Sequence, residues 1–327
     1  MILDFPVKIT RKSVEVSERG FGTILILDTE IERKFEVLTP EGVEKLGKGK
    51  AYKLAQRLFM QKPQPQEVAI FGKVGSAEEV FKAVIELNRD FFFVVCTDNS
   101  IDTIKGLSNL CRTYNKIYAV TVNDLDQAKG ISGDFANTFV GFHNDPDSYL
   151  AEGLAVIMSY KVGGKTAKFK KIVGVKEAEI SLSDLKELEG KNIFTYVKKL
   201  GALQTTEGKM LSGEYIDIVL GEYWIRFRME ERMQRLAMTQ DKIPYTNRGI
   251  GMLVSVAEQV LNQAVDMDII EAGQYKVDYK KREDVPSVDV ENRRYDYIVW
   301  TAMLQGAIHS GQISGVLTYD LVNKEGE

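Results

Sequence analysis

The sequence predicts a chain with two folded parts: a layered α/β domain, then an α+β domain that contains two long helices. At 327 residues the chain can bury a substantial core and form two domains. Short apolar runs alternate with helical stretches over about residues 22–160, which is typical of a largely parallel sheet covered by helices. Two long amphipathic stretches follow, and short strand-like stretches begin at Tyr275. The second part is therefore expected to be α+β.

In the first part, each predicted strand is a short apolar run bounded by polar or turn-forming residues. The predicted strands are Ile24–Leu27, Phe35–Leu38, Glu67–Phe71, Phe91–Thr97, Ile117–Val122 and Thr138–Phe142. Helices are expected between them, where apolar residues recur at helical spacing. The predicted helices are a short one from Pro40, then Ala51–Met60, Ala77–Asn88, Ile101–Tyr114, Leu125–Lys129 and Ser148–Ser159.

The sequence Gly163-Gly164-Lys165, near the start of the second part, breaks the alternation. A basic, strand-like connector is expected at Ala167–Val175. A helix near Leu182–Leu188 and a strand at Ile193–Lys198 follow. The remainder is dominated by the two long helices and ends in predicted strands at Val299–Leu304 and Gln312–Leu321.

The two long helices are predicted from their apolar spacing and from the turn between them. Pro244 lacks an amide hydrogen and disfavours helix at the residue before it, so the first helix should stop there. Asn247 is expected to cap the second helix, which runs from Arg248 to about Ile270. Trp224 and Phe227 should lie in a core. The apolar face of the first helix comprises Tyr215, Ile216, Val219, Tyr223, Trp224, Phe227 and Met233.

Composition excludes several classes of function. A net charge of −4 gives no electrostatic reason to expect nucleic-acid binding. The longest apolar run, Phe91–Cys96, is far too short to cross a membrane, and the first residues do not resemble a signal peptide. We therefore expect folding in a cytoplasm. Cys96 and Cys111 are expected to be small core residues, although the sequence alone does not exclude a disulfide.

No complete catalytic, metal or cofactor site is present in the sequence. Gly163-Gly164-Lys165-Thr166 ends like a phosphate-binding loop, but Ser159 stands where the leading glycine is required. A flexible turn is the better interpretation of this segment. We therefore predict no nucleotide binding, no cofactor and no bound metal.

Two further positions allow a weaker catalytic hypothesis. His143 follows a predicted strand and precedes a turn, so it could pair with Asp145 or Asp147. Asp98 and Asn99 follow another strand, where ligands often bind in α/β domains. A simpler interpretation of Asp98 and Asn99 is that they form a turn and cap the helix that begins near Ile101.

Several segments, in this order, resemble contractile phage-tail sheath proteins of the compact kind. These segments are Lys50–Phe71, Ser212–Asp217, Trp224–Glu230, Lys242–Ile250 and Gly306–Leu317. Each motif is weakly specific, but together they extend over most of the chain. The motif residues are Tyr215, Asp217, Trp224, Lys242, Pro244, Tyr245, Gly249 and His309. His309 in the closing motif is expected to be a hydrogen-bonded structural residue.

The resemblance implies a structural subunit that stacks as hexameric rings around an inner tube and contracts to drive that tube through a cell envelope. It also implies extended terminal arms that add strands to neighbouring subunits. The implied partners are other copies of the chain, the inner tail tube protein, and baseplate and tail terminator proteins. Nucleic acid binding and membrane insertion are not expected. The candidate arm residues are Phe5, Val7, Ile9, Val14 and Val16, with Ile313, Val316, Leu317 and Tyr319.

On this hypothesis the chain divides into an N-terminal linking arm (1–21), an α/β domain (22–160), an α+β domain (161–311) and a C-terminal linking arm (312–327). The subunit would be made and assembled in the host cytoplasm and would reside in a virion tail. The same fold in an R-type bacteriocin particle, or in another injection machine, is equally compatible with the sequence. The rival hypothesis is an α/β hydrolase or transferase that acts on a small molecule through residues 22–160.

Overall fold

The computed structural model describes residues 21–315. Eight strands of the described residues form one sheet in the order β2-β3-β1-β4-β5-β6-β7-β8. The strands of this sheet are β1 (Ile24–Asp28), β2 (Arg33–Leu38), β3 (Val68–Gly72), β4 (Phe93–Cys96), β5 (Ile117–Val122), β6 (Thr138–Phe142), β7 (Ile193–Lys199) and β8 (Ala202–Thr205). A separate two-stranded sheet contains β9 (Ile270–Tyr279) and β10 (Ile298–Leu304).

Helices connect most of the parallel strands. The α-helices are α1 (Lys50–Phe59), α2 (Ala77–Leu87), α3 (Ile101–Thr113), α4 (Leu125–Gly130), α5 (Leu150–Ser159), α6 (Leu182–Gly190), α7 (Ile216–Thr239), α8 (Asn247–Asp266) and α9 (Ser287–Glu291). The segment Pro40–Leu46 forms a 3₁₀ helix, as does Arg282–Asp284. The predicted strand and helix types of the first part are therefore confirmed, with boundaries that move by a few residues.

The large sheet is parallel in its centre and antiparallel at both edges. Strand β1 pairs in parallel with β3 and β4, and parallel pairing continues from β4 through β7. Only the edge strands β2 and β8 are antiparallel to their neighbours. The strands β1, β3, β4, β5 and β6 are buried on both faces, as expected for strands covered on both sides by helices. The prediction of a largely parallel, layered sheet is confirmed.

The sheet extends further along the chain than the alternation of strands and helices implied. Strands β7 and β8 lie in residues 193–205, beyond the expected domain boundary at residue 160, yet β7 pairs with β6. Residues Ile193–Val197 of β7 are buried, so this strand needs cover on both faces. Residues 167–175, expected to be strand-like, contain turns and no strand.

The two faces of the large sheet carry two apolar cores. Leu25 and Leu27 of β1 point to the face covered by α2 and α3. Ile24 and Ile26 point to the opposite core, which includes residues of α1, α5, α7 and α8. The long helix α7 therefore packs in the same core as the sheet, and it does not form a core of its own. Trp224 of α7 is only 5% exposed, which confirms its predicted burial.

Helix capping differs from the sequence-based expectation at two positions. Thr246, and not Asn247, caps α8: its side chain accepts a hydrogen bond from the amide of Gly249. Asn247 is the first helical residue and its side chain bonds to Arg282 and Glu283 instead. The hydroxyl of Ser100 caps α3, in place of Asp98 or Asn99.

The segment after β10 has no helix or strand up to residue 315, where the described residues end, and all of its residues except His309 are exposed. No strand is assigned to residues 312–315. Within the described part of the chain, no helix has the length and apolar character required to cross a bilayer.

Candidate assembly surface

The two-stranded sheet β9–β10 is the most unusual surface of the molecule. Residues from Ile298 to Ala302 pair antiparallel with Tyr279 to Tyr275, and a bulge separates this ladder from the pair Leu304–Ile270. Among residues 21–315 no further strand pairs with either β9 or β10, so each strand has one edge without a strand partner. Such edges present unpaired N–H and C=O groups and are sites for strand addition.

This small sheet exposes large apolar side chains on its outer face. Val299 is 61% exposed and Met303 is 55% exposed. Side chains alternate between the two faces of a strand, so Val299 and Met303 share the outer face. Soluble proteins seldom expose such a patch unless it contacts another molecule.

The inner face of the small sheet packs against the body of the protein. Tyr275, Val277 and Ala302 pack against the core that contains α7 and α8. Trp300 lies opposite Val277 and therefore points to the same face. Beside it an open cavity of about 400 Å³ is lined by Glu222, Ile225, Arg226, Ile270, Trp300, Ala302 and Leu304. The small sheet is thus supported on one side by the core that contains α7 and α8, and it leaves a mainly apolar cleft next to Trp300.

His309 attaches the segment after β10 to the body of the protein. Its Nδ1 lies 2.9 Å from Oε1 of Glu207, and its Nε2 lies 2.6 Å from Oγ1 of Thr166. Its ring also meets the ring of Tyr215 edge-on, with 4.9 Å between centroids. The side chain of His309 is 10% exposed. The expectation that His309 is a hydrogen-bonded structural residue is confirmed.

Charged groups surround this histidine. Glu207 also contacts Nζ of Lys168 at 3.5 Å, and Lys209 lies over the ring of Tyr215. Asp217 is buried in the first turn of α7, and its Oδ1 has no hydrogen-bond partner among the described residues. Burial raises the pKa of Asp217, and the nearby His309 opposes that shift. The motif residues Tyr215, Asp217 and His309 are therefore brought together.

The described chain begins at Phe21, which is also anchored on α7. Its ring lies 4.8 Å from the ring of Phe92 and 5.7 Å from that of Phe227, measured between centroids. The guanidinium of Arg228 lies 5.2 Å from the centroid of Phe21. Sequence analysis did not single out Phe21, because an isolated phenylalanine beside a glycine carries no periodic signal.

The turn between α7 and α8 explains the spacing of the motif from Lys242 to Ile250. Thr246, two residues after Pro244, caps α8, and Gly249 passes close to the carbonyl of Pro244. A Cβ at position 249 would lie 1.8 Å from that oxygen, so only glycine fits. Tyr245 donates a hydrogen bond to the carbonyl of Arg294 at 2.7 Å. Lys242 is exposed and lies apart from the His309 cluster. The motif is therefore mainly a turn that fixes two helices.

The hypothetical catalytic pair at His143 is wrong. His143 is buried, and its Nε2 donates to the carbonyl of Lys176 while its Nδ1 accepts from the amide of Asp145. Both ring nitrogens are thus engaged by the backbone. The carboxylate of Asp147 pairs instead with Lys53 at 2.7 Å.

The loop Gly163–Thr166 forms a tight packing contact. A Cβ at Gly163 would lie 2.6 Å from Cα of Gly221 in α7, and one at Gly164 would lie 1.8 Å from the carbonyl of Met267. Burial lowers the pKa of Lys165, and the neighbouring Lys170 and Lys161 lower it further. The two glycines therefore serve close backbone packing, which the interpretation as a flexible turn missed.

Other groups with catalytic potential are committed to structure. The side chain of Asn99 donates to the carbonyl of Thr121 and to Asn123, and Asp98 accepts from the hydroxyls of Ser100 and Thr103. Among residues 21–315, no group of three or more His, Cys, Asp or Glu side chains is arranged to hold a metal ion. Both cysteines are free and buried, and burial raises the pKa of Cys96 to about 12.

Most of the predicted arm residues lie outside residues 21–315. Phe5, Val7, Ile9, Val14 and Val16 lie outside the described residues, and so do Val316, Leu317 and Tyr319. Ile313 is described and is fully exposed. The residues Glu207 and Thr166, which hold His309, were not predicted because they are ordinary polar residues more than 100 positions away in sequence.

Comparison with known proteins identifies the fold and one domain. Residues 216–281 match the family described as E217 tail sheath protein gp31-like, C-terminal domain. This match covers α7, α8 and β9, which include the helix pair and one strand of the small sheet. No curated protein matches the chain significantly.

Three solved structures resemble the whole chain. The anti-feeding prophage (AFP) baseplate structure aligns with a TM-score of 0.70 at 10% identity, covering 96% of this chain and 98% of that chain. The contracted sheath complex of the extracellular contractile injection system PVC aligns with a TM-score of 0.67 at 12% identity, covering 98% and 99%. The sheath tail protein Lin1278 from Listeria innocua aligns with a TM-score of 0.58 at 10% identity, covering 90% and 97%.

These findings confirm the resemblance to contractile-tail sheath proteins that the motifs indicated. Residues 216–281 carry the sheath C-terminal domain signature, and residues along nearly the whole chain adopt the fold of sheath proteins from contractile injection systems. The fold class predicted from the sequence is confirmed as well.

Proposed function

We propose that the chain is the sheath subunit of a contractile injection machine. Copies would stack as hexameric rings around an inner tube and contract to drive that tube through a target envelope. The fold shared with contracted sheaths of the AFP and PVC particles supports this proposal. A sheath subunit needs surfaces that bind other copies of itself, so the proposal depends on finding such a surface.

The observation that carries the proposal is the two-stranded sheet β9–β10. Its strand edges have no partner within residues 21–315, while Val299 and Met303 expose apolar surface on its outer face. An edge of this kind promotes aggregation unless another segment covers it. A strand donated by a second copy would satisfy the backbone groups and cover the apolar side chains in one step.

The terminal segments are the proposed donors. Residues 1–21 and 312–327 would act as linking arms, and their alternating apolar residues suit a strand with one buried face. The remaining residues, 22–311, would form the body of the subunit, in which the large sheet continues past residue 160 into β7 and β8. Backbone pairing between subunits can persist while rigid bodies rotate about flanking hinges, as contraction would require.

Further partners follow from this role. The inner tube protein would contact the inside of the rings, and baseplate and terminator proteins would cap the ends of the stack. The subunit would be made and assembled in the host cytoplasm and would act in a phage tail or in a bacteriocin-like particle. A sheath subunit must assemble and contract in the same way in a phage tail and in a bacteriocin-like particle, so the proposal includes both particles.

The test is whether the small sheet is needed for self-assembly. Negative-stain microscopy of the purified full-length protein should show tubes or stacked rings. Val299→Asp and Met303→Asp should each abolish these assemblies, because a buried, unpaired carboxylate is costly in a covered interface. Leu182→Asp is a matched control, since Leu182 is 77% exposed on α6, a different element. Discrete particles from the wild-type protein, or equal assembly by all variants, would contradict the proposal.

A further inference from the structure

We propose that Phe21 and His309 anchor the roots of the two terminal segments on helix α7, so that both segments are presented to other copies at a fixed separation. This inference rests on the proposed function, because it assumes that the terminal segments link subunits. To the proposed function it adds two positioning residues, Phe21 and His309, and one helix, α7, that fixes the distance between them. The two anchors differ in chemistry, one apolar and one polar.

In the described part of the C-terminal segment, the polar anchor is the one point at which a side chain is covered. From Met303 to Gly315, every residue except His309 is exposed. The backbone of Gln305 donates to the carbonyl of Ile269 at 3.1 Å, and His309 then provides the hydrogen bonds to Glu207 and Thr166. A histidine that bonds through both nitrogens fixes the position and the orientation of the segment that carries it.

The apolar anchor lies where the described chain enters the body. Phe21 is buried against Phe92 and Phe227, while Gly22, which follows it, has open space around its Cα. Aromatic contacts of this kind contribute about 0.5–1.5 kcal/mol beyond the area they bury. The Phe21 ring therefore holds the chain at the surface of α7 before it enters β1.

Helix α7 links the two anchors. Tyr215, the N-cap residue of α7, contacts His309, and Phe227 contacts Phe21. With a rise of 1.5 Å per residue, these two contact points lie about 18 Å apart along the helix axis. The helix cannot shift easily between them, because Gly221 packs against Gly163 and Trp224 is buried. The separation of the two roots is thus set by a rigid, buried helix.

The first experiment measures anchoring in the free subunit, independently of assembly. Spin labels on Ile313→Cys and Leu200→Cys, both at exposed positions, report the distance from the C-terminal segment to the β7–β8 turn. The native Cys96 and Cys111 are buried and should not be labelled. Double electron–electron resonance should give one narrow distance distribution for the wild-type background. The variant His309→Ala should broaden that distribution. Ser310→Ala is the matched control and should leave the distance unchanged.

The N-terminal anchor is tested in the same way with labels on Ser17→Cys and Leu200→Cys. Phe21→Ala should broaden this distance distribution, and the conservative Phe21→Leu should restore much of the wild-type width. An unchanged distribution in His309→Ala or in Phe21→Ala overturns the anchoring role of that residue. Circular dichroism of each variant checks that the fold is retained, and His309→Gln replaces His309→Ala if the alanine variant unfolds.

The second experiment measures assembly of the same variants by negative-stain microscopy. If both anchors act as proposed, His309→Ala and Phe21→Ala should lose ordered tubes while their controls keep them. Normal tubes from a variant with a broadened distance would overturn the presentation of the arms at a fixed separation. Absence of tubes from the wild-type protein would contradict the proposed function instead. The distance measurements would still show whether His309 and Phe21 anchor the two terminal segments.

Discussion

The carboxylate of Glu152 takes the place of a missing strand neighbour for Thr121. Its Oε1 accepts the amide hydrogen of Thr121 at 2.9 Å, and its Oε2 accepts the hydroxyl hydrogen of the same residue. The ladder between β4 and β5 ends at the pair Val94–Tyr118, so the backbone at Thr121 has no β4 partner. A buried side chain of α5 thus completes the hydrogen bonding of a central strand.

This arrangement makes stability depend on pH. Burial raises the pKa of Glu152 from 4.5 to about 7, although its bonds to Thr121 oppose the shift. Between these values the folded protein retains a proton that the unfolded chain has lost, so the free energy of unfolding falls as the pH rises. A shift of this size corresponds to about 3 kcal/mol, lost progressively between about pH 4.5 and pH 7.

Glu152→Gln should remove this dependence, since an amide can accept from the Thr121 amide and donate to its hydroxyl. The variant should be more stable than the wild type at pH 8, by up to about 3 kcal/mol, and similar at pH 4.5. Urea unfolding at both pH values measures the difference. Asp126→Asn, at an exposed site on α4, is the control and should not change the pH dependence. Parallel pH profiles of wild type and Glu152→Gln would contradict the assignment.

The two tryptophans offer a matched pair for separating stability from assembly. Trp224 is 5% exposed in the core shared by α7 and the sheet, so Trp224→Ala should cost about 3–5 kcal/mol in unfolding free energy. Trp300 is 38% exposed on the small sheet, and Trp300→Ala should cost much less while reducing assembly. Thermal unfolding followed by circular dichroism measures the first effect, and microscopy measures the second. An unchanged melting temperature for Trp224→Ala would show that this residue is not part of a core.

Two glycines in the first turns of α8 should respond to alanine in opposite directions. Gly249→Ala would place a Cβ 1.8 Å from the carbonyl oxygen of Pro244, so it should destabilise the protein by about 1–3 kcal/mol through overpacking. Gly251 has open space around its Cα, so Gly251→Ala should stabilise the helix by about 0.5–1 kcal/mol. Chemical unfolding of both variants provides the comparison. Equal changes in unfolding free energy for the two variants would mean that the turn does not require the close contact between Gly249 and the carbonyl oxygen of Pro244.

The parts of the fold that were predicted from sequence are those with a local cause. Runs such as Ile117–Val122 are rich in β-branched and aromatic residues, and this is sufficient to identify a buried strand. The position of β7 in the large sheet was not predictable, because pairing with β6 joins segments separated by about fifty residues of turns and helices. The prediction that Asn247 caps α8 was wrong for a similar reason. Thr246 and Asn247 are both good caps, and contacts of Asn247 with the distant Arg282 and Glu283 decide between them.

The candidate surface was predictable only in part. The motif identified His309 and Tyr215, but the partners Glu207 and Thr166 depend on tertiary packing and carry no local signal. The role of Gly163 is likewise set by its contact with Gly221, more than fifty positions later in the chain. Sequence motifs therefore located the helix pair and its turn, while the exposed edges of β9 and β10 became evident only from strand pairing.

The final prediction concerns removal of the terminal segments. Deleting residues 1–18 leaves Phe21 and its contacts intact, and deleting the chain from Gln312 leaves His309 intact. None of the described residues of the two apolar cores lies in either deleted segment, so the melting temperature of the free subunit should change little. Circular dichroism and thermal unfolding of the purified truncations measure this. A loss of the fold would mean that the segment belongs to the subunit's own core.

Assembly should respond much more strongly than stability. Without a donated strand, the edges of β9 and β10 keep their unpaired backbone groups, and the apolar face at Val299 and Met303 stays uncovered. Each truncation should therefore yield soluble subunits that no longer form ordered tubes under conditions in which the full-length chain does. The two truncations test the two terminal segments separately. A segment is required for assembly only if it pairs with another copy of the chain. Tubes of normal appearance from either truncation would refute strand donation by that segment.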